Sequence, residues 1–151
     1  MAKNLKIENA RLIFRNFSGA ERPFNPKGRR NFCVVIDPAD AQNLVNAGWN
    51  VKTLKPIEEG DEPLPYLQVA VSFDHKPPKI VQITSGGQTI LTEETVGGLD
   101  YADIELADLI LTPYPWSVSG KSGIKAYLKT AFITLAEDDI EKKYARESAM
   151  L

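Results

Sequence analysis

A chain of 151 residues with 43% hydrophobic and 25% charged side chains has the size and mixture of one globular domain able to bury a real core. One cysteine, Cys33, and one histidine, His75, exclude an internal disulfide and a soft-ligand zinc site, and no apolar run reaches the roughly 20 residues of a membrane helix. The net charge of −2 argues against a polyanionic partner only until it is resolved along the chain: residues 1–30 carry eight basic against two acidic residues, a sum of +6, leaving −8 for the rest.

From the N-terminus, Leu5 to Arg15 alternates imperfectly, and Ala10 to Arg15 reads as an edge or barrel strand with arginines flanking an apolar centre. Asn16 to Gly28 reads as a loop, where glycines and prolines break regular structure while aromatics and cations stay available at the surface. Arg29 to Asp37 is rich in β-branched and aromatic residues and predicts a strand. Asp37-Pro38-Ala39-Asp40 then marks a helix start, with a carboxylate N-cap, proline at the first helical position and an acid in the first turn. Ala41, Leu44 and Val45 give this short helix an apolar stripe, Gly48 terminates it, and Trp49 to Leu54 returns to extended structure.

Pro56 to Pro65 is acidic and proline-rich, and is expected to cross the surface as a loop. Tyr66 to Phe73 alternates Leu67, Val69, Val71 and Phe73 against Tyr66, Gln68, Ala70 and Ser72, the period of a half-buried strand. Lys79 to Thr84 and Gln88 to Leu91 flank Ser85-Gly86-Gly87 as a hairpin. Thr92 to Thr95 predicts a helical turn ended by Gly97 and Gly98. Ile104 to Tyr114 predicts a strand, Pro115 to Gly123 a turn, and Ile124 to Leu135 the longest strand. From Ala136 onward mixed charges suit either a frayed helix or disorder.

About eight short strands and two brief helical insertions describe an all-β protein. The expected fold is an oligonucleotide-binding (OB) type Greek-key barrel with extra strands over residues 1–136, followed by a mixed-charge tail over 137–151. Phe32, Phe73 and Phe132 are assigned to its core, Trp49 to the packing of the helix on the barrel, and Cys33 to a buried, inert position.

The row that carries function is Ile124 to Lys129, since strand alternation places Lys125, Tyr127 and Lys129 on one face and Ile124, Ala126 and Leu128 on the other. Such a cation, aromatic, cation row suits a single-stranded nucleic acid, whose bases stack on rings and whose phosphates attract lysines. Taken alone it also fits the wet face of an ordinary strand. Tyr114, Trp116 and Lys121 on the same hairpin shift the balance, because exposed aromatics beside cations need a reason. A second candidate is the basic loop of Arg22, Phe24, Lys27, Arg29 and Arg30, placed to touch phosphates or close over a strand; its plainer reading is a solvated turn with Phe24 capping the barrel.

Phe24-Asn25-Pro26-Lys27-Gly28-Arg29-Arg30-Asn31-Phe32-Cys33-Val34, Gly48-Trp49-Asn50-Val51-Lys52, Pro113-Tyr114-Pro115-Trp116 and Gly123-Ile124-Lys125-Ala126-Tyr127-Leu128 together make a chain that resembles bacteriophage single-stranded DNA-binding proteins of the OB-barrel type. The resemblance spans about Ala10 to Leu135. It implies a replication or recombination accessory in the host cytoplasm that coats and protects unpaired DNA, with single-stranded DNA as partner and replication or recombination proteins as secondary ones. Proteins of this class often end in an acidic docking tail, whereas here Lys142, Lys143 and Arg146 interrupt the acids.

No cofactor, metal or catalytic role is expected, and a homodimer is left open. Ser85-Gly86-Gly87 lacks the lysine and long helix of a phosphate loop, Asp100, Asp103, Glu105 and Asp108 lack metal-ligand spacing, and His75 has no nucleophile signature near it. The rival reading is a β-sandwich or jelly-roll virion or tail protein whose aromatics lie at subunit interfaces.

Overall fold

The computed structural model describes residues 3–55, 59–74 and 76–150, so the readings of His75 and of positions 56–58 lie outside the described residues. In chain order the elements are β1 (Leu5–Ile7), β2 (Leu12–Asn16), β3 (Arg30–Val35), α1 (Pro38–Asn46), β4 (Val51–Leu54), β5 (Leu64–Val71), β6 (Lys79–Thr84), β7 (Gly87–Leu91), a 3-10 helix (Val96–Asp100), β8 (Ile104–Val118), β9 (Lys121–Leu135) and α2 (Asp139–Met150). The strands form one mixed sheet ordered β1-β8-β9-β5-β3-β2, with β4 beside β5 and the β6–β7 hairpin beside β9. Strand β9 organises the sheet: it is antiparallel to β8 along its whole length and parallel first to β5, then to β6.

The sheet curls toward closure between β2 and β8. Ala10 N donates to the Ala107 carbonyl (2.7 Å), and Arg15 donates to the carbonyls of Leu99 and Ala102 (2.8 and 2.7 Å), tying β2 to the 3-10 helix. The result is the mostly β, OB-like architecture expected from the pattern, an incompletely closed barrel with extra strands. Phe32, Val34, Leu67, Val69, Leu109, Leu111, Ala126, Leu128 and Ile133 line its interior, and Phe17 stacks on Phe32 with centroids 5.0 Å apart. Trp49 is buried in this core, bridged to Ile124, as expected of an aromatic at an element junction.

Helix α1 starts as its sequence dictates: the Asp37 side chain accepts from Ala39 N and Pro38 occupies the first position. Gly48 follows it with φ +99°, and its carbonyl accepts from Ile124 N (2.9 Å).

Five expectations need correction. Pro65 is not loop: it pairs with Thr53 in β4, and its carbonyl accepts from Ile36 N (2.9 Å), so only a donor is lost at the strand's start. Gly97 and Gly98 do not end a turn but lie inside the 3-10 helix, where a Cβ on Gly97 would sit 3.2 Å from the Ser18 Cβ. Pro115 to Gly123 is not a loop either; β8 and β9 run on to a two-residue turn at Ser119 and Gly120, whose φ values of +51° and +79° suit the right-handed twist of the hairpin. Phe132 is 37% exposed instead of buried. Its cause is a bulge: Ile110 pairs with Thr130 but Leu111 with Leu128, leaving Lys129 as the extra residue and moving the inward positions of β9 from even to odd numbers. Phe73, finally, packs only partly against the core and takes the Arg30 guanidinium over its ring at 5.5 Å.

Candidate nucleic-acid interface

Register alone assembles the outer face. Asn31 of β3 pairs with Ala70 of β5, which pairs with Tyr127 of β9, which pairs with Thr112 of β8. One row further, Cys33 faces Gln68 and Lys125 faces Tyr114, and Trp116 faces Gly123. Because successive side chains alternate, Lys125 and Tyr127 stand out from the sheet while Ile124, Ala126 and Leu128 are buried.

Two adjoining depressions lie on this face. A cleft of about 250 Å³ is lined by Arg29, Arg30, Asn31, Asn50, Gln68, Ala70, Trp116 and Lys125. A wider groove of about 640 Å³ runs on past Lys27, Phe73, Asp74, Glu93 and Tyr127 and shares Arg29, Arg30, Ala70 and Lys125 with the first. Four cations therefore face two carboxylates. Arg30 is partly spoken for, since its guanidinium lies 3.4 Å from the Glu93 carboxylate. Arg29, Lys27 and Lys125 are exposed.

The aromatics are held in place by their neighbours. Trp116 is seated on Gly123: a Cβ there would come within 3.1 Å of the indole Cζ2 and 3.2 Å of Cε2 and Nε1. Tyr127 and Tyr114 meet edge-to-face (5.6 Å, 67°), and the Lys125 ammonium lies 5.2 Å from the Tyr127 centroid.

The loop before β3 is stapled by two asparagines. Asn16, buried, donates to the Ala20 carbonyl (3.1 Å) and accepts from Ala20 N (3.0 Å). Asn25 donates to the carbonyls of Ala20, Pro26 and Arg29 and accepts from Asn31 Nδ2 (2.8 Å). These bonds deliver Arg29 and Arg30 to the cleft. Arg22 and Phe24 line neither depression, and Phe24 is fully exposed instead of capping the barrel. Lys121 sits at the β8–β9 turn, and Lys129 at the bulge where β9 passes from β5 to β6. Of the expected residues, then, Lys27, Arg29, Arg30, Trp116, Lys125 and Tyr127 converge, Tyr114 supports Tyr127, and Arg22, Phe24, Lys121 and Lys129 lie outside the cleft.

Asn31, Asn50 and Gln68 line the site without an expected binding role, and Phe73 lines it although it was expected in the core. Alternation places Gln68 opposite buried Leu67 and Val69, but only the parallel pairing of β5 with β9 brings it beside Lys125. Cys33 is buried, and desolvation raises its thiol pKa above the ordinary value while the charge of Lys52 opposes the shift.

Residues 1–149 match the family model described as "Putative phage ssDNA-binding domain". The chain belongs to this phage single-stranded DNA-binding domain family. Among solved structures it is similar to the single-stranded DNA-binding protein from bacteriophage Enc34, with a TM-score of 0.56 at 9% identity over 89% of this chain and 82% of that one. The same phage protein in complex with ssDNA gives a TM-score of 0.56 at 8% identity, covering 89% and 88%. At these identities the likeness speaks for the fold. No curated protein matches the chain.

Proposed function

We propose that this protein binds single-stranded DNA on the β3-β5-β9-β8 face, without catalysis, coating and protecting unpaired strands during phage DNA replication or recombination in the host cytoplasm. The observation that carries the reading is the convergence of Arg29, Arg30 and Lys125 with the rings of Trp116 and Tyr127 in two adjoining depressions that share Arg29, Arg30 and Lys125. Bases stack on the rings, and the cations neutralise phosphates. Neither contact reads a base edge, so binding tolerates sequence; the amides of Asn31, Asn50 and Gln68 supply modest preferences at most. Duplex DNA is a poor ligand because its bases are already stacked. One chain builds the whole cleft, so a homodimer is not required, and replication or recombination proteins would meet this one on the shared strand. The structural virion reading draws no support from the family or from a face lined with cations.

The test is a fluorescence titration with an oligo-dT strand and with duplex of equal length at two salt concentrations. Trp116 emission falls on adding the single strand, more weakly at high salt, and the Trp116→Phe variant identifies the signal against buried Trp49. A flat salt response, or equal affinity for duplex, refutes the reading.

A further inference from the structure

We infer that the bound strand continues beyond the cleft, on the same sheet face, to a second stacking station formed by Phe14 and Tyr66 and flanked by Arg11 and Lys52. The inference rests on the function proposed above. Its first support is register. Tyr66, Gln68 and Ala70 share one side of β5, and Ala70 pairs with Tyr127, so Tyr66 stands on the face that holds the cleft. The Tyr66 row reads across the sheet as Arg11, Val35, Tyr66, Lys52: Val35 N donates to the Arg11 carbonyl (3.0 Å), Val35 pairs with Tyr66, and Tyr66 pairs with Lys52. A cation thus lies to either side of an aromatic, the chemistry of the Lys125 and Tyr127 row repeated four residues along β5, about 13 Å away.

The second support is Phe14. Its ring meets Tyr66 edge-on at 6.3 Å yet is 57% exposed, and its backbone has φ +50°, in the left-handed region that a bulky residue avoids. The conformation sits within the register shift between Ile13 and Asn16. Backbone strain of this kind persists where surrounding structure enforces it, and here it sets an aromatic ring on the sheet surface with little burial in return.

The path between the stations is continuous. Asn50, which lines the cleft, and Lys52 alternate outward from buried Trp49, and Gln68 lies between Ala70 and Tyr66. Lys52 is close enough to Cys33, the cross-strand partner of Gln68, for its charge to act on the thiol. At about 3.4 Å per stacked nucleotide, 13 Å corresponds to roughly four nucleotides, so a short oligomer reaches one station and a longer one both.

The experiment is fluorescence anisotropy with dT oligomers of graded length, from about 4 to 16 nucleotides. For the parent, affinity climbs with length past the point at which the cleft is filled. Phe14→Gly leaves the affinity for the shortest binding oligomer unchanged and weakens the longest by about tenfold or more, the loss expected of one stacked base. Its melting temperature holds or rises, since glycine relieves the positive φ, whereas a merely structural ring would lower it. Arg11→Ala with Lys52→Ala, both at exposed positions, flattens the salt dependence for long oligomers only, by about 0.7 in the log–log slope for each phosphate no longer neutralised. The inference is overturned if both variants bind every length like the parent; the ring pair then serves a protein contact or none. Loss of binding in Trp116→Ala at all lengths, alongside that result, would leave the cleft standing without its extension. Failure of the parent to bind any length would remove both.

Discussion

Substituting valine for Gly123 separates the seat of the indole from the stability of the strand. A Cβ at this position lies 3.1 to 3.2 Å from three atoms of the Trp116 ring, inside the ordinary carbon contact of about 3.5–4.0 Å. Alanine therefore shifts the ring by a few tenths of an ångström, and the two further methyl groups of valine occupy the place where the ring now lies. Stacking one base on such a ring is worth about 1–3 kcal/mol, so Gly123→Val weakens single-strand affinity by up to that amount. This corresponds to roughly 5- to 150-fold in Kd at 1.4 kcal/mol per tenfold, and Gly123→Ala loses only a fraction of it. Stability moves the other way, because valine suits a strand better than glycine on a scale spanning about 1 kcal/mol. Anisotropy with oligo-dT gives the affinity, thermal unfolding gives the stability, and tryptophan emission reports the displaced ring. A valine variant that unfolds at or above the parent temperature, shows altered emission and still binds like the parent would refute Trp116 as a stacking platform.

Three further outcomes follow from the same geometry. Arg29→Ala lowers the slope of log affinity against log salt by about 0.7, whereas Arg30→Ala lowers it less, because Glu93 already offsets that charge; titrations at four salt concentrations compare them. Asn25→Ala strips partners from Asn31 and from the carbonyls of Ala20, Pro26 and Arg29. It costs about 1–2 kcal/mol in urea unfolding and weakens DNA binding, although Asn25 itself does not line the cleft. Glu137 accepts from the Ser85 hydroxyl (2.7 Å) and Ser85 N (2.6 Å), which hold its carboxyl below the usual range. A lowered folded-state value stabilises above the unfolded pKa, about 4.3, and the benefit is lost as pH falls through the folded value. The protection of the Ser85 amide in the β6–β7 turn, its exchange rate taken relative to the intrinsic rate at each pH, therefore falls with acid in the parent, and Glu137→Gln removes that pH dependence.

Local chemistry was legible wherever one residue type decides the backbone. Asp37 and Pro38 start α1, Gly48 ends it, and the period of Leu67, Val69 and Val71 sets the buried face of β5. Nonlocal geometry was not. Nothing in Lys79–Thr84 says that it lies parallel to β9, and without that pairing Lys129 cannot be seen as the bulge that turns Phe132 outward. The same limit governs the site. Lys125 and Tyr127 follow from alternation within one strand, but Arg29 reaches them through β3 and β5, and Gln68 and Asn50 join only once the register of three strands is set.

The arm that carries Trp116 also has to stay unpaired on its outer side. Among the described residues β1 covers β8 only as far as Leu111, and no described strand lies along the outer side of the stretch to Val118, beside exposed aromatics, the kind of surface on which another strand adds. Pro113 and Pro115 share one parity, and the unbroken pairing of β8 with β9 requires both missing N–H groups to fall on the opposite, outer edge. An incoming strand finds no donor at either position. The two prolines that hid the strand in the sequence therefore keep the arm proposed to bind DNA from pairing with another sheet.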